Sequence, residues 1–323
     1  NVMIDTMTVE KMKTYKGRQN KPENFDLFWE NEISQLPVEL KFKLEEKKYN
    51  IPNVKFYELE FQSTKNSTIY SKLVVPHSNE PVPVIFQFHG YQGQSPDWST
   101  HLNYAHAGFA MVSMDVRGQA GKSIDGGKYQ GNTVKGHVVR GMTEGPENLF
   151  YKEVYLDVYQ LVRIVREFDF IDEANMNSYG LSQGGALSLI TAALIPEIRK
   201  TVAIYPFLSD FKRVLEFGNQ SEAYDELFRY FKFNDPMHRQ EDEILKTISY
   251  IDVKNFANKI RSDVLMITGL EDNICFPSTQ FAVFNQINSN KRHLVLPEYS
   301  HEDMNVIIKD LIFDFLTGSS FVS

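Results

Sequence analysis

Apolar residues in this chain cluster into short, nearly unbroken runs separated by longer stretches with helical spacing. Residues 83–88, 109–114, 176–181, 201–205, 263–268 and 293–296 read as strands, most of them rich enough in Val, Ile, Leu, Met and Phe to be buried on both faces. Between them, Val154, Leu156, Val158, Leu161, Val162 and Val165 predict a helix over 153–168, and residues 187–194 predict another. Strand alternating with helix implies a mostly parallel sheet covered on both sides. Ahead of this region, residues 54–61 and 67–75 read as a β-hairpin around the polar residues 62–66. Phe25, Phe28, Trp29, Ile33 and Leu36 recur at helical intervals within a segment taken to run from 22 to about 44. The alternation breaks over 207–259, where Phe211, Phe217, Tyr224, Phe228, Tyr230, Phe231 and Phe233 mark a helical, aromatic-rich insertion. These positions predict one α/β domain over 1–323, with an N-terminal extension over 1–50 and a cap over about 208–260.

Composition bounds what such a domain can do. The 323 residues are 42% hydrophobic and 24% charged, ample for a folded core, and the net charge of -8 disfavours a nucleic-acid partner, which needs a basic face. The lone cysteine, Cys275, permits no intrachain disulfide and reads as a small buried hydrophobe. No metal-ligand spacing and no cofactor motif is visible. Residues 1–21 mix Lys, Arg, Asp and Glu without an apolar core, so neither a secretory signal nor a membrane anchor is expected, and the default location is cytoplasmic.

The chemistry centres on Gly180-Leu181-Ser182-Gln183-Gly184, a GxSxG motif between a buried strand and a helix. Chance places such a motif in a chain of this length roughly one time in ten, so its surroundings decide its meaning. A nucleophile elbow holds its serine on a sharp strand-to-helix turn and draws an acid and then a histidine from loops later in the chain. Three histidines follow Ser182: His238 lies in the insertion, His293 opens a strand, and His301 follows the last strand on a loop. His301 is the better base. Glu271 and Asp272 both follow strand 263–268, and spacing alone does not separate them, although Asp272 is favoured. The oxyanion donors expected by position are the backbone N–H groups of Tyr91, in the loop after strand 83–88, and of Gln183. Arg117, at another strand exit, reads as a loop brace rather than a substrate anchor.

With Arg117-Gly118-Gln119, Gly180 to Gly184 and His301-Glu302 in this order, the chain resembles the acetyl xylan esterase and cephalosporin C deacetylase family, carbohydrate esterase family seven of the α/β-hydrolases. Supporting similarity runs through residues 21–29, 136–141, 146–151 and 269–275, and so covers nearly the whole chain. The resemblance implies an α/β-hydrolase fold with Ser182, Asp272 and His301 as the triad, which selects Asp272 over Glu271. It implies Tyr91 and Gln183 amides as the oxyanion hole, and structural support from Arg117, Gly118 and Gln119. It further implies a cytoplasmic homohexamer that deacetylates small molecules such as acetylated xylo-oligosaccharides and cephalosporin C. Phe276 departs from the family pattern, which has the first of two prolines there. The alternatives within the fold are another carboxylesterase or peptidase, or a binding protein without catalysis.

Overall fold

A computed structural model describes residues 5–131, 135–218 and 221–322. Residues 1–4 of the expected extension and 219–220 of the expected cap lie outside the described residues. Among the described residues, nine strands form one sheet: β1 (Phe42–Lys47), β2 (Val54–Ser63), β3 (Ser67–Pro76), β4 (Val82–Phe88), β5 (Ala110–Met114), β6 (Ile171–Leu181), β7 (Ile198–Ile204), β8 (Asp263–Gly269) and β9 (Lys291–Leu296). Their spatial order is β1-β2-β3-β5-β4-β6-β7-β8-β9. The pairs β1/β2, β2/β3 and β3/β5 are antiparallel, and every pairing from β5/β4 to β8/β9 is parallel. The helices are α1 (Val9–Met12), α2 (Phe25–Ser34), α3 (Leu102–His106), α4 (Phe150–Val165), α5 (Gln183–Leu194), α6 (Phe211–Phe217), α7 (Asp225–Phe233), α8 (Glu241–Ile248), α9 (Pro277–Phe284) and α10 (Ile308–Thr317).

Alternate residues of each parallel strand feed two apolar layers, as the two-residue period of a strand requires. On β4, Val84, Phe86 and Phe88 enter the larger core with α4 and α5, whereas Ile85 enters the smaller one with α3 and α10; on β8, Val264 and Met266 divide from Leu265 and Ile267 in the same way. A sheet covered on both faces explains why these strands read as unbroken apolar runs.

The helix expected from 22 to about 44 is shorter than its apolar spacing suggested. It ends at Ser34, and residues 42–47 form β1, an antiparallel edge strand in register with β2 from Phe42 opposite Phe61 to Lys47 opposite Phe56. Pro37 accounts for the break, because it biases Leu36 away from the helical region and has no N–H to continue the helix. Lys43, Glu45, Glu46 and Lys47 give β1 the charged character of a protected edge.

The insertion packs through its own aromatic residues and against α2, α5 and α9. Phe211, Tyr224 and Phe231 are buried, Phe25 meets Phe256 edge-on at 4.8 Å, and Trp29 donates its indole N–H to the Tyr250 carbonyl at 2.9 Å. Among the described residues, no helix is long and apolar enough to cross a membrane.

Candidate active site

Ser182 occupies the turn between β6 and α5 with φ 61° and ψ -117°, a left-handed conformation that a non-glycine residue adopts only when its surroundings impose it. Its own N–H bonds the Ile204 carbonyl at 2.8 Å, and its carbonyl accepts from Ala186 and Phe207. The flanking glycines have a steric reason: a Cβ on Gly180 would lie 2.2 Å from the Gly184 carbonyl oxygen, and one on Gly184 would lie 2.0 Å from that of Phe88. The turn is thus wedged against the end of β4, and Ser182 is 7% exposed.

His301 lies on the loop after β9, with Nε2 2.9 Å from Ser182 Oγ and Nδ1 2.9 Å from Asp272 Oδ2. A carboxylate only accepts, so Nδ1 carries the proton, and Nε2 is left to accept from the serine hydroxyl. Asp272, in the loop after β8, is fully buried. Its Oδ1 accepts the backbone N–H groups of Ile274 at 2.9 Å and Cys275 at 2.8 Å. Ser182, His301 and Asp272 therefore form one hydrogen-bonded chain whose proton positions follow from donor and acceptor chemistry. Glu271, the other carboxylate considered, is exposed and donates its backbone N–H to the Tyr299 carbonyl. His238 lies on the insertion and pairs with Glu241.

The loop leaving β4 runs beside the elbow, since Phe88 is in register with Gly180. His89 shapes it: Nδ1–H donates to the Gly90 carbonyl at 2.7 Å, and Nε2 accepts from Val116 N at 3.0 Å. Burial lowers the His89 pKa, which favours the neutral ring this pattern requires. Among the described residues, no hydrogen bond runs from the backbone N–H of Tyr91 or of Gln183 to a protein acceptor; Gln183 directly follows the serine, and Tyr91 lies on the loop leaving β4. The Tyr91 ring is anchored elsewhere. Its hydroxyl donates to His137 Nδ1 at 2.8 Å and accepts from Gly136 N at 2.9 Å, while His137 Nε2–H donates to the Gly118 carbonyl at 2.7 Å.

Gln119 and Gln183 bond each other through both ends of their amides, at 2.7 and 3.0 Å. Gln119 Oε1 also accepts the backbone N–H of Gln92 at 2.8 Å, and Gln183 Oε1 accepts from the Tyr151 hydroxyl at 2.8 Å. The side chain of Gln119 therefore ties the loop carrying Tyr91 to the elbow carrying Ser182. Arg117 points the other way, into a fully buried bidentate pair with Asp157 of α4 at 2.6 and 2.7 Å, and it also donates to the Thr64 carbonyl. Gly118 has φ 68° and turns the chain between these two braces.

A family model for acetyl xylan esterase (AXE1) matches residues 2–319. The chain belongs to the acetyl xylan esterase family. Acetyl xylan esterase 1 from Thermoanaerobacterium sp. JW/SL YS485 superposes with a TM-score of 0.93 and 41% identity, over 97% of this chain and 98% of that one. The acetyl xylan esterase from Paenibacillus sp. R4 gives a TM-score of 0.89 at 30% identity, over 97% and 99%. Acetyl esterase Axe7A of Xylanibacter ruminicola is 29% identical over 290 residues, 87% of this chain. The chain spans 63% of the length of that curated relative.

Within this family member, Phe276 replaces an expected proline yet keeps φ at -57°, and Pro277 follows at the first position of α9. Its buried ring stacks on Phe217 of the insertion at 3.8 Å, a contact that a proline would make smaller. Cys275 is buried, and burial pushes its thiol well above the usual range, as suits an inert packing residue. Tyr151 and His137 had no role assigned from sequence, although each falls in a segment that resembled the family. Only their distant partners reveal what they hold.

Proposed function

We propose that this protein is a serine esterase that removes acetyl groups from small acetylated sugars. The observation that carries this reading is the Ser182–His301–Asp272 chain, with 2.9 Å at both joints, on a strained elbow in a member of the acetyl xylan esterase family. His301 Nε2 takes the Ser182 proton as Oγ attacks the acetyl carbonyl. The Tyr91 and Gln183 N–H groups stabilise the oxyanion of the tetrahedral intermediate. The His301 proton passes to the departing sugar alcohol, leaving an acetyl-enzyme. A water then gives its proton to His301 and attacks this ester, and collapse of the second intermediate releases acetate and returns the proton to Ser182. Asp272 keeps the imidazole in the required tautomer and stabilises its charged form.

Arg117, Gly118 and Gln119 support the site rather than touch substrate in this scheme. The chain acts as one α/β-hydrolase domain, with residues 208–260 as a cap; its Tyr224 packs on Phe207 at 4.9 Å between ring centroids, and Phe207, just before the cap, lies 5.9 Å from Tyr91. Cephalosporin C is a second acetyl ester within the proposed range. A cytoplasmic homohexamer is the proposed working form, on the strength of the family resemblance, and light scattering on purified protein checks the assembly. Turnover of p-nitrophenyl acetate, butyrate and octanoate tests the substrate class. Preference for acetate supports the reading, and faster turnover of butyrate or longer esters overturns it.

A further inference from the structure

Behind Asp272 a second set of buried polar side chains continues the hydrogen-bonded chain away from the serine. Gln280, on α9, is fully buried, and its Nε2 donates to Asp272 Oδ2 at 3.2 Å and to the Cys275 carbonyl at 2.7 Å. Both partners only accept, so the amide can sit one way round; the flipped rotamer would set Oε1 against a carboxylate and a carbonyl. Oε1 accepts from the hydroxyl of Thr268, a fully buried residue of β8, at 2.8 Å. The Thr268 proton being used there, its oxygen accepts from His293 Nε2–H on β9 at 2.7 Å. The His293 ring is held between Phe281 and Phe284 of the same helix α9, with centroids at 4.5 and 4.3 Å. Burial, with Lys291 adding to it, pushes His293 down to about 4, so the ring is neutral at pH 7.

We infer that Gln280 is a positioning residue for the reaction, setting the carboxylate oxygen of Asp272 that meets His301, and that Thr268 and His293 lock its amide. The inference rests on the triad assignment above. Backbone amides pin Oδ1 and leave Oδ2 free to swing about that anchor. Gln280 and His301 share Oδ2, so three elements (α9, β8 and β9) fix the direction in which the imidazole is held. A histidine rotated away from Ser182 lowers the rate of proton transfer more than it weakens substrate binding.

The alternative is that these groups merely satisfy one another inside the fold. Gln280→Met removes the donor at similar volume. Thr268→Val/Gln280→Met/His293→Leu removes all three polar side chains and leaves no hydroxyl or imidazole without a partner. With p-nitrophenyl acetate, both variants should lose about ten- to hundredfold in kcat while KM changes less than about twofold. The low-field proton resonance of His301 Nδ1–H should also shift in both. A folded triple variant with wild-type kcat and an unmoved resonance overturns the inference, as does a loss in Gln280→Met that the triple variant restores. Ser182→Ala, assayed alongside, separates the two ideas. If it keeps wild-type activity, the triad assignment fails; if it is inactive while the triple variant is fully active, only the role of Gln280 fails.

Discussion

Replacing Arg117 by methionine would leave Asp157 buried, with the Ser63 hydroxyl as its remaining side-chain donor. The guanidinium now spans Asp157 on α4 and Thr64 in the β2–β3 turn, so three segments lose a shared anchor. Burial pushes the Asp157 carboxyl above its ordinary range even with Arg117 beside it, so the pair's attraction does not fully offset its desolvation. Breaking one side should therefore cost about 3–5 kcal/mol, a large share of the 5–15 kcal/mol that typically separates folded from unfolded protein. With a urea m value of about 3 kcal/mol/M, the unfolding midpoint falls by roughly 1–1.7 M. Removing both charges in Arg117→Met/Asp157→Leu should recover most of that loss, because no ion is left unpaired. The assay is urea unfolding followed by tryptophan fluorescence and far-ultraviolet circular dichroism. A double variant as destabilised as the sum of its two single variants would refute the reasoning, since it would show that the two residues act independently.

Gln119→Leu deletes both the amide pair with Gln183 and the acceptor for Gln92 N, so kcat on p-nitrophenyl acetate should fall by about ten- to hundredfold with circular dichroism unchanged. Wild-type kcat would show that the two loops are set without it. Burial first, with Lys72 and Arg140 respectively adding to it, pushes His101 and His137 down to about 4 from an ordinary 6.5. Between those values the unfolded chain binds protons that the folded protein does not. Their contribution is complete above pH 6.5 and is lost as pH falls toward 4, by roughly 3 kcal/mol each. Thermal midpoints should drop across that window and drop less in His101→Gln; equal slopes would count against the assignment. Gly184→Ala places a methyl against the Phe88 carbonyl and should cost about 1–3 kcal/mol in urea unfolding, whereas wild-type stability would mean that the elbow can relax.

Much of the sheet was legible because burial on both faces makes a parallel strand almost wholly apolar, and β4, β5 and β8 each left such a run. Residues 42–47 were missed as a strand because β1 is a charged edge strand without an apolar run, and the helical spacing of Phe25 to Leu36 was extended past Pro37 to about 44. Ser182, His301 and the acidic pair Glu271 and Asp272 could be singled out from chain order and from their places after strands, since the fold delivers loop residues to one end of the sheet. The choice between Asp272 and Glu271 was not readable from spacing. It depends on which carboxylate the turn buries under the Ile274 and Cys275 amides, a backbone feature that adjacent acidic residues do not signal. Gln280 and Thr268 carried no motif, and His293 read as the opening residue of a strand, because each gains meaning only from partners on other elements. Likewise, Gln119 carried a motif but not its geometry; its bond to Gln183 joins residues 64 positions apart.

Acetate release from acetylated xylo-oligosaccharide by wild type and by Ser182→Ala tests the nucleophile and the substrate together. Wild type should release acetate with ordinary saturation kinetics, and the variant should lose at least about a thousandfold in kcat while its circular dichroism stays unchanged. Equal rates from the two proteins would remove Ser182 from the mechanism, and no release from folded wild type would remove the acetyl sugar from the function.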